Sequence, residues 1–259
     1  MKKYLLLING QLGLKILKYI LDQPEVRLLA VVLNSNERRT KEYLQDVKVM
    51  LTKSETLIFK YEPSEKIQED LKNCISNADF IVSAMFGHKI PPELLLLVKR
   101  SIINLHPSML PLGRGAHPIP WAIINKSQQG ISIHNIDENL DTGNILFQKE
   151  LRVNISMNAG QIYEQAINEL FFEFKRLRLD WESEKLIPYR QKSANIKKIN
   201  SKDLELIRVL QENENGEFGD FLRRIQALTF SDGRVPIYND LDGKLWKIHL
   251  ELQPIEKEL

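Results

Sequence analysis

The sequence predicts an α/β fold, in which a Rossmann-like, mostly parallel β-sheet carries helices on both faces and a small α+β domain follows. Two observations lead to this class. Apolar runs alternate with amphipathic segments through the first two thirds of the chain, and many of those runs are apolar on both faces. Strands that are apolar on both faces and are joined through helices are typical of a parallel sheet with helices on both sides.

The strands and helices of this sheet follow one another in order along the chain. Five apolar runs predict strands at residues 4–8, 28–33, 56–59, 80–84 and 101–105. Amphipathic segments between them predict helices at residues 12–21, 64–74 and 91–98. A short helix at 118–125, two strands at 130–136 and 145–153, and a long helix at 159–179 complete the series. The long helix repeats apolar residues at helical spacing, which indicates one buried face.

A polar stretch after the long helix predicts a boundary between two domains. We expect a catalytic domain at residues 1–182, a linker at 183–194 and a small C-terminal domain at 195–259. In the last region the pattern predicts helices at 201–211 and 218–228 and a β-like segment at 246–250. The 259 residues suffice for one large domain with such an appendage.

Composition narrows the classes of partner. A net charge of +2 argues against a protein that mainly binds nucleic acid. The first apolar run, at residues 4–8, is shorter than the ~7–15 residues of a signal peptide core. Since no run approaches the ~18–20 apolar residues that span a bilayer, we expect no membrane partner. The single cysteine, Cys74, excludes an intramolecular disulfide and favours the cytoplasm.

The most informative motif begins at the end of the fifth predicted strand. Asn104 and His106 lie two residues apart, so both side chains project from one face of that strand. The carboxyl edge of an open α/β sheet is where such proteins place their chemistry. The motif continues with Leu110–Pro111, Arg114–Gly115 and, about three dozen residues after Asn104, Asp141–Thr142–Gly143.

In the order and spacing of these elements the chain resembles the N10-formyltetrahydrofolate-dependent formyltransferases. That family includes glycinamide ribonucleotide transformylase, methionyl-tRNA formyltransferase and the nucleotide-sugar N-formyltransferases. The resemblance implies that N10-formyltetrahydrofolate is the co-substrate and that no metal takes part. It also implies three catalytic residues, in which Asn104 donates to the oxyanion, His106 moves protons and Asp141 holds His106.

The same resemblance places the two substrates. The folate would lie between two loops and contact mainly their backbone, with contributions from Met85, Phe86, Gly87, His88, Ile90, Asp137, Asn139 and Leu140. The acceptor would contact Asn9, Gln11, Arg114 and His134. Structural alternatives stay open: Met85, Phe86 and Ile90 also suit the core, Arg114 suits its own glycine-flanked turn, and His134 suits a hydrogen-bonded place inside its strand.

Three acceptors compete for the formyl group. Residues 195–259 contain 10 Lys and Arg against 12 Asp and Glu, a net charge of −2, which does not suit binding of tRNA phosphates. The chain is longer than the single-domain purine transformylases. We therefore expect an amine on a nucleotide-linked sugar from surface-glycan biosynthesis, and a homodimer is possible. The alternatives are methionyl-tRNA, glycinamide ribonucleotide, a non-catalytic folate-binding relative, and a hydrolase with water as acceptor.

Two other kinds of site fit the sequence poorly. The glycines after the first strand lack the Gly-x-Gly-x-x-Gly spacing of a dinucleotide site, and Asn34 stands where that site needs an acidic residue. A zinc site at His106, His117 and His134 lacks the tight ligand spacing of structural zinc.

Overall fold

The computed structural model describes residues 1–34, 40–100, 102–192, 201–212 and 214–253. The chain divides into two compact units. The first contains Met1–His106, Ser132–Phe147 and Ile167–Gln191, and the second contains Pro107–Ile131, Gln148–Ala166 and Lys192–Leu259. The predicted domain limits at residues 182 and 195 stay predictions, and residues 193–200 and 254–259 lie outside the described part.

A seven-stranded sheet is the centre of the architecture, as the sequence predicted. Its strands are β1 Lys2–Ile8, β2 Val26–Asn34, β3 Leu57–Tyr61, β4 Phe80–Ala84, β5 Ile102–His106, β6 Gly130–Asn135 and β7 Ile145–Glu150. They lie in the order β3-β2-β1-β4-β5-β6-β7. The five strands β1 to β5 pair in parallel, and β6 pairs antiparallel to β5.

The strand order places a topological switch point between β1 and β4. The chain runs outward from β1 through β2 to β3 and then returns to the other side of β1 with β4. The loops that leave β1 and β4 therefore diverge at their carboxyl ends, which is where open α/β sheets form a ligand crevice. Asn9 opens one of these loops and Met85 opens the other, and the Asn9 backbone N–H donates to the Ala84 carbonyl at 3.0 Å.

Helices cover both faces of this sheet. Leu5 and Leu7 of β1 share a buried cluster with Leu71 and Ile75 of α3 Glu69–Asn77. Helix α1 Gly10–Leu21 lies on the opposite face, where a Cβ on its Gly13 would be only 2.8 Å from Ile8 Cβ. Because side chains alternate along a strand, Leu7 and Ile8 point to different layers, and both are buried. This two-sided burial explains why β1 is apolar from Tyr4 to Ile8 and why β4 is apolar except at Ser83.

The remaining helices of this part of the chain are α2, α4, α5 and α6. Their bounds are Thr40–Met50, Pro92–Leu95, Pro118–Ile124 and Ala159–Glu182. In the first unit, Phe171 and Phe174 of α6 make edge-to-face contacts with Tyr19 of α1, with ring centroids 6.1 Å apart in each pair. These contacts use the apolar face that the helical spacing predicted.

The C-terminal segment of the second unit forms α7 Ser201–Leu206, β8 Val209–Gln211, α8 Phe218–Leu228, β9 Ile237–Asn239 and β10 Leu245–Lys247. The three strands make a separate small sheet in the order β10-β9-β8. The prediction of one helix across 201–211 was wrong, because the helix ends at Leu206 and Val209–Gln211 pairs in parallel with β9. Pairing with a strand almost thirty residues ahead overrides the local helical pattern.

None of the helices in the described residues is long and apolar enough to cross a membrane.

Candidate active site

Strand β5 presents Asn104 and His106 at its carboxyl end, as the sequence predicted. Its neighbours are β4, which runs parallel, and β6, which runs antiparallel and sets His134 directly opposite Asn104. Leu105, between the two polar residues, is 1% exposed and enters the core. His106 is 6% exposed and Asn104 is half-buried, so the pair is partly withdrawn from water. A polar pair survives there only with hydrogen-bonding or charged partners.

Those partners are His134 and Asp141, and four predicted site residues thus come together. Asn104 Nδ2 lies 3.2 Å from His134 Nε2 and 3.5 Å from Asp141 Oδ1. The same carboxylate oxygen is 3.6 Å from His134 Nε2 and 4.0 Å from His106 Nδ1. Asp141 is thus within ion-pairing reach of both imidazoles and is itself largely buried. All four side chains belong to the first unit.

The protonation state of His134 follows from its surroundings. Burial, with the charge of His106 nearby, lowers the pKa of His134 to about 4, so the ring is neutral at pH 7. Its Nδ1 lies 2.8 Å from the Asn135 carbonyl oxygen, which can only accept a hydrogen bond. Nδ1 therefore carries the proton and Nε2 is an acceptor. That acceptor fixes the rotation of the Asn104 amide, because only an NH2 group can satisfy it.

The loop between β6 and β7 is built to hold Asp141. Asp141 adopts a left-handed backbone conformation with φ of 54°, which is uncommon for a residue with a Cβ. On one side the Asp137 carboxylate accepts hydrogen bonds from the Asn139 N–H at 3.1 Å and the Thr142 hydroxyl at 2.6 Å. On the other side, a Cβ on Gly143 would fall 1.8 Å from the Asn135 carbonyl oxygen. Only glycine permits this approach.

Gln191 contacts the same loop and was missed from the sequence, where it fell in the predicted linker. Its side-chain Nε2 donates to the Asp141 carbonyl at 2.9 Å and to the Gly143 carbonyl at 2.8 Å. The side chain is buried. A local sequence pattern cannot predict this contact, because the partners are about fifty residues apart in sequence.

The loop after β4, predicted to face the folate, divides into core and edge residues. Phe86 and Ile90 are buried in the cluster with Leu5 and Leu7, so their side chains are part of the core. Met85 and Gly87 both have positive φ values, 59° and 79°, which turn the backbone sharply at the strand end. These two backbone conformations set the orientation of the peptide groups in the loop.

Asn34, at the end of β2, ties this loop down and was also missed as a site residue. Its Oδ1 lies 2.8 Å from His88 Nε2, and its Nδ2 donates to the Phe86 carbonyl at 3.4 Å. The rings of Tyr61, Phe86 and His88 pack against one another with centroids 5.7 Å apart. His88 is therefore held by both a hydrogen bond and ring contacts.

The residues predicted for the acceptor lie in three different settings. Asn9 caps α1, with its Oδ1 accepting from the Gly10 N–H at 2.7 Å, and is 8% exposed. Gln11, in the first turn of that helix, is exposed. Arg114 belongs to the second unit and stands between Gly113 and Gly115, whose positive φ values of 71° and 101° make a tight turn.

Metal ligation has no support in the described residues, where no group of three or more His, Cys, Asp and Glu side chains could hold an ion. The polar side chains at this site are one amide, two imidazoles and one carboxylate, each of which lies 3.2–4.0 Å from at least one of the others. Such a set can hydrogen-bond a developing oxyanion and move protons, which are the needs of acyl transfer to an amine.

Comparisons with known proteins agree with this chemistry. The family model described as formyl transferase matches residues 9–170 of the chain. A relative from Mycobacterium tuberculosis (strain ATCC 25618 / H37Rv), the dTDP-4-amino-4,6-dideoxyglucose formyltransferase, is 30% identical over 195 residues, which is 74% of this chain and 81% of that protein.

Solved structures share the fold. A sugar N-formyltransferase from Shewanella sp FDAARGOS_354 has a TM-score of 0.82 at 20% identity and covers 99% of this chain and 100% of its own. An N-formyltransferase from Helicobacter canadensis, in complex with folinic acid and dTDP-3-aminofucose, has a TM-score of 0.69 at 19% identity, covering 90% of this chain and 82% of that one. The family match spans Asn104, His106, His134 and Asp141 with the strands and the loop that carry them, and the chain belongs to the formyl transferase family.

Proposed function

We propose that this protein transfers the formyl group of N10-formyltetrahydrofolate to the amino group of a nucleotide-linked amino sugar. The observation that carries the proposal is the cluster of Asn104 with the largely buried side chains of His106, His134 and Asp141, in a chain of the formyl transferase family. The choice of acceptor is supported by the relative from Mycobacterium tuberculosis, whose name gives a dTDP-linked amino sugar as its substrate and which matches 74% of this chain.

In the proposed reaction the neutral amine attacks the formyl carbon and a tetrahedral oxyanion forms. Asn104 has two amide hydrogens, of which one is held by His134. The other has only a long contact of 3.5 Å to Asp141 and is available to the oxyanion. One such preorganised donor is worth roughly 3–4 kcal/mol in the transition state.

His106 then moves the proton that the reaction displaces. The attacking nitrogen loses a proton to His106, and N10 of the folate receives one as the bond between the formyl carbon and N10 breaks. The products are the formamide and tetrahydrofolate. Asp141 faces His106 at 4.0 Å and stabilises the imidazolium while it carries the proton.

We propose that the folate is held by peptide groups of the two loops that flank this cluster. The loop at Met85, Gly87 and His88 is kept in shape by Asn34, and the loop containing Asp137, Asn139 and Leu140 is kept in shape by the Asp137 carboxylate. Phe86 and Ile90 would support the first loop from the core. Backbone recognition needs rigid loops, which these contacts provide.

For the acceptor we keep Asn9, Gln11 and Arg114 as proposed contacts and give His134 a different part. Gln11 is exposed in the first turn of α1, the helix that follows β1 at the switch point of the sheet. His134 is 1% exposed and bonded to Asn104 and Asn135, so we propose that it orients Asn104. The net charge of −2 in residues 195–259 disfavours tRNA as the acceptor. A cytoplasmic location, a homodimer and a separate C-terminal domain remain predictions.

The deciding experiment incubates the purified protein with N10-formyltetrahydrofolate and a panel of nucleotide-linked 3-amino and 4-amino sugars. Tetrahydrofolate release is followed by absorbance and the product by mass. We expect release with at least one sugar and a mass gain of one formyl group. Release without an acceptor would point to a hydrolase, and formylation of glycinamide ribonucleotide or methionyl-tRNA but of no sugar would refute the proposed acceptor class. Folate binding without turnover of any acceptor would indicate a non-catalytic relative.

A further inference from the structure

Gln191 lies in a part of the chain to which the family match assigns nothing. It follows the long helix α6 by nine residues, and the matched region ends at residue 170. Yet it is buried and its amide reaches the loop that carries Asp141. The side chain of this buried glutamine therefore contacts the backbone of the loop that carries Asp141.

The contact is saturated. An amide NH2 group has two hydrogens, and both of those on Gln191 Nε2 are used, one at 2.9 Å on the Asp141 carbonyl and one at 2.8 Å on the Gly143 carbonyl. Both distances are those of well-formed hydrogen bonds. A single side chain therefore clamps two carbonyls that are two residues apart, on either side of Thr142.

The clamp acts at the point where the loop is under strain. Asp141 has a φ of 54°, and holding its carbonyl fixes the ψ angle that follows. The Gly143 peptide lies against Asn135, whose own carbonyl accepts from His134 Nδ1. Movement of these peptides would therefore shift the Asp141 carboxylate relative to both His134 and Asn104.

The backbone around Gln191 is anchored independently of its side chain. Tyr189 pairs with Ile145 through two hydrogen bonds, with the Ile145 N–H donating at 2.8 Å and the Tyr189 N–H donating at 2.9 Å. Ile145 begins β7, two residues after Gly143. This short antiparallel bridge brings Gln191 to the loop and remains available when its side chain is changed.

We infer that Gln191 is a positioning residue for formyl transfer, which holds the Asp141 loop so that its carboxylate faces Asn104, His106 and His134. This inference rests on the proposed function for its turnover measurement only. The contacts predict that loss of the two donors displaces the carboxylate and slows the chemical step. Binding of either substrate should be affected little, because both hydrogens of the Gln191 amide bond to backbone carbonyls of the loop that carries Asp141.

The test uses two variants without the donors and one matched control. Gln191→Met keeps the length of the side chain, and Gln191→Glu keeps its shape while replacing the NH2 group by an acceptor. The control is Gln226→Met, since Gln226 is similarly buried, at 6% against 7%, and its Nε2 donates to the Ile155 carbonyl in the second unit. Activity is measured well below the lowest melting temperature, so that all variants are folded.

We expect kcat to fall about 10- to 100-fold in both Gln191 variants, the effect of a misplacement of about 1 Å, with each KM within about twofold of the unsubstituted protein. Gln226→Met should keep kcat while losing thermal stability. Equal kcat in the Gln191 variants and the control would overturn the inference.

A second measurement needs no acceptor. Long-range 1H–15N spectra of the substrate-free protein report the imidazole nitrogens of His106 and His134. Both Gln191 variants should shift these signals, and Gln226→Met should leave them unchanged. Unchanged imidazole signals in the Gln191 variants would overturn the inference even if no sugar is formylated. Absence of turnover in the unsubstituted protein, with shifted signals in the variants, would refute the proposed function and leave the positioning of the Asp141 loop by Gln191 standing.

Discussion

The neutral state of His134 makes a quantitative prediction about stability against pH. The folded protein lowers the pKa of this histidine to about 4, against 6.5 for an ordinary histidine. Between these values the unfolded chain binds a proton that the folded chain does not. Stability from this residue is therefore complete above pH 6.5 and is lost as the pH falls toward 4.

The size of the effect follows from the difference between the two pKa values. The full difference corresponds to about 3 kcal/mol, and the part lost between pH 7 and pH 5 is about 2 kcal/mol. A Gln at position 134 keeps an acceptor for Asn104 and does not titrate. We expect the unsubstituted protein to lose about 2 kcal/mol more than His134→Gln between these two pH values, or roughly 4–8 °C in melting temperature.

The assay is urea denaturation followed by circular dichroism at pH 7 and pH 5. The control is His249→Gln, because His249 is exposed and its replacement should leave the pH dependence unchanged. If His134→Gln loses as much stability as the unsubstituted protein between pH 7 and pH 5, the buried neutral state assigned to His134 is incorrect. The orientation of the Asn104 amide, with its NH2 group toward His134 Nε2, would then be incorrect as well.

Three further predictions follow from the site. Asn104→Ala and His106→Ala should each lower kcat about 100- to 1000-fold with little change in melting temperature, and near-normal turnover in either variant would exclude the proposed mechanism. Gly143→Ala should cost about 1–3 kcal/mol of unfolding free energy or more in urea denaturation, because its Cβ would overlap the Asn135 carbonyl; unchanged stability would contradict this packing. Asn34→Ala should raise the KM for N10-formyltetrahydrofolate up to about tenfold at nearly constant kcat, because the loop after β4 loses its hydrogen bonds to Asn34. An unaltered KM would contradict the proposal that this loop binds the folate.

Most elements of the sheet could be predicted because their signal is local. The strand at Phe80–Ala84 was found with the predicted bounds, and β1, β2, β3 and β5 differ from prediction by at most two residues at either end. Continuous apolar runs reveal such strands, since both faces are buried. Helix α2 at Thr40–Met50 was missed.

The small sheet of the second unit was less predictable. Its strands at Val209–Gln211 and Ile237–Asn239 have three residues each, and their pairing joins segments far apart in sequence. A run of three residues gives no periodicity that separates a strand from the end of a helix. The wrong helix at 201–211 has this origin.

The family motif and the shared orientation of Asn104 and His106 could be read from the amino-acid sequence. Those properties depend on residues that are neighbours in the chain and on the two-residue period of a strand. The folded chain was needed to show that His134 lies opposite Asn104 and that Asp141 lies within 4.0 Å of both imidazoles. It was also needed to show that Gln191 and Asn34 bond to the two loops. Hydrogen bonds across thirty to fifty residues of chain depend on strand order, register and burial, and a linear pattern contains none of these.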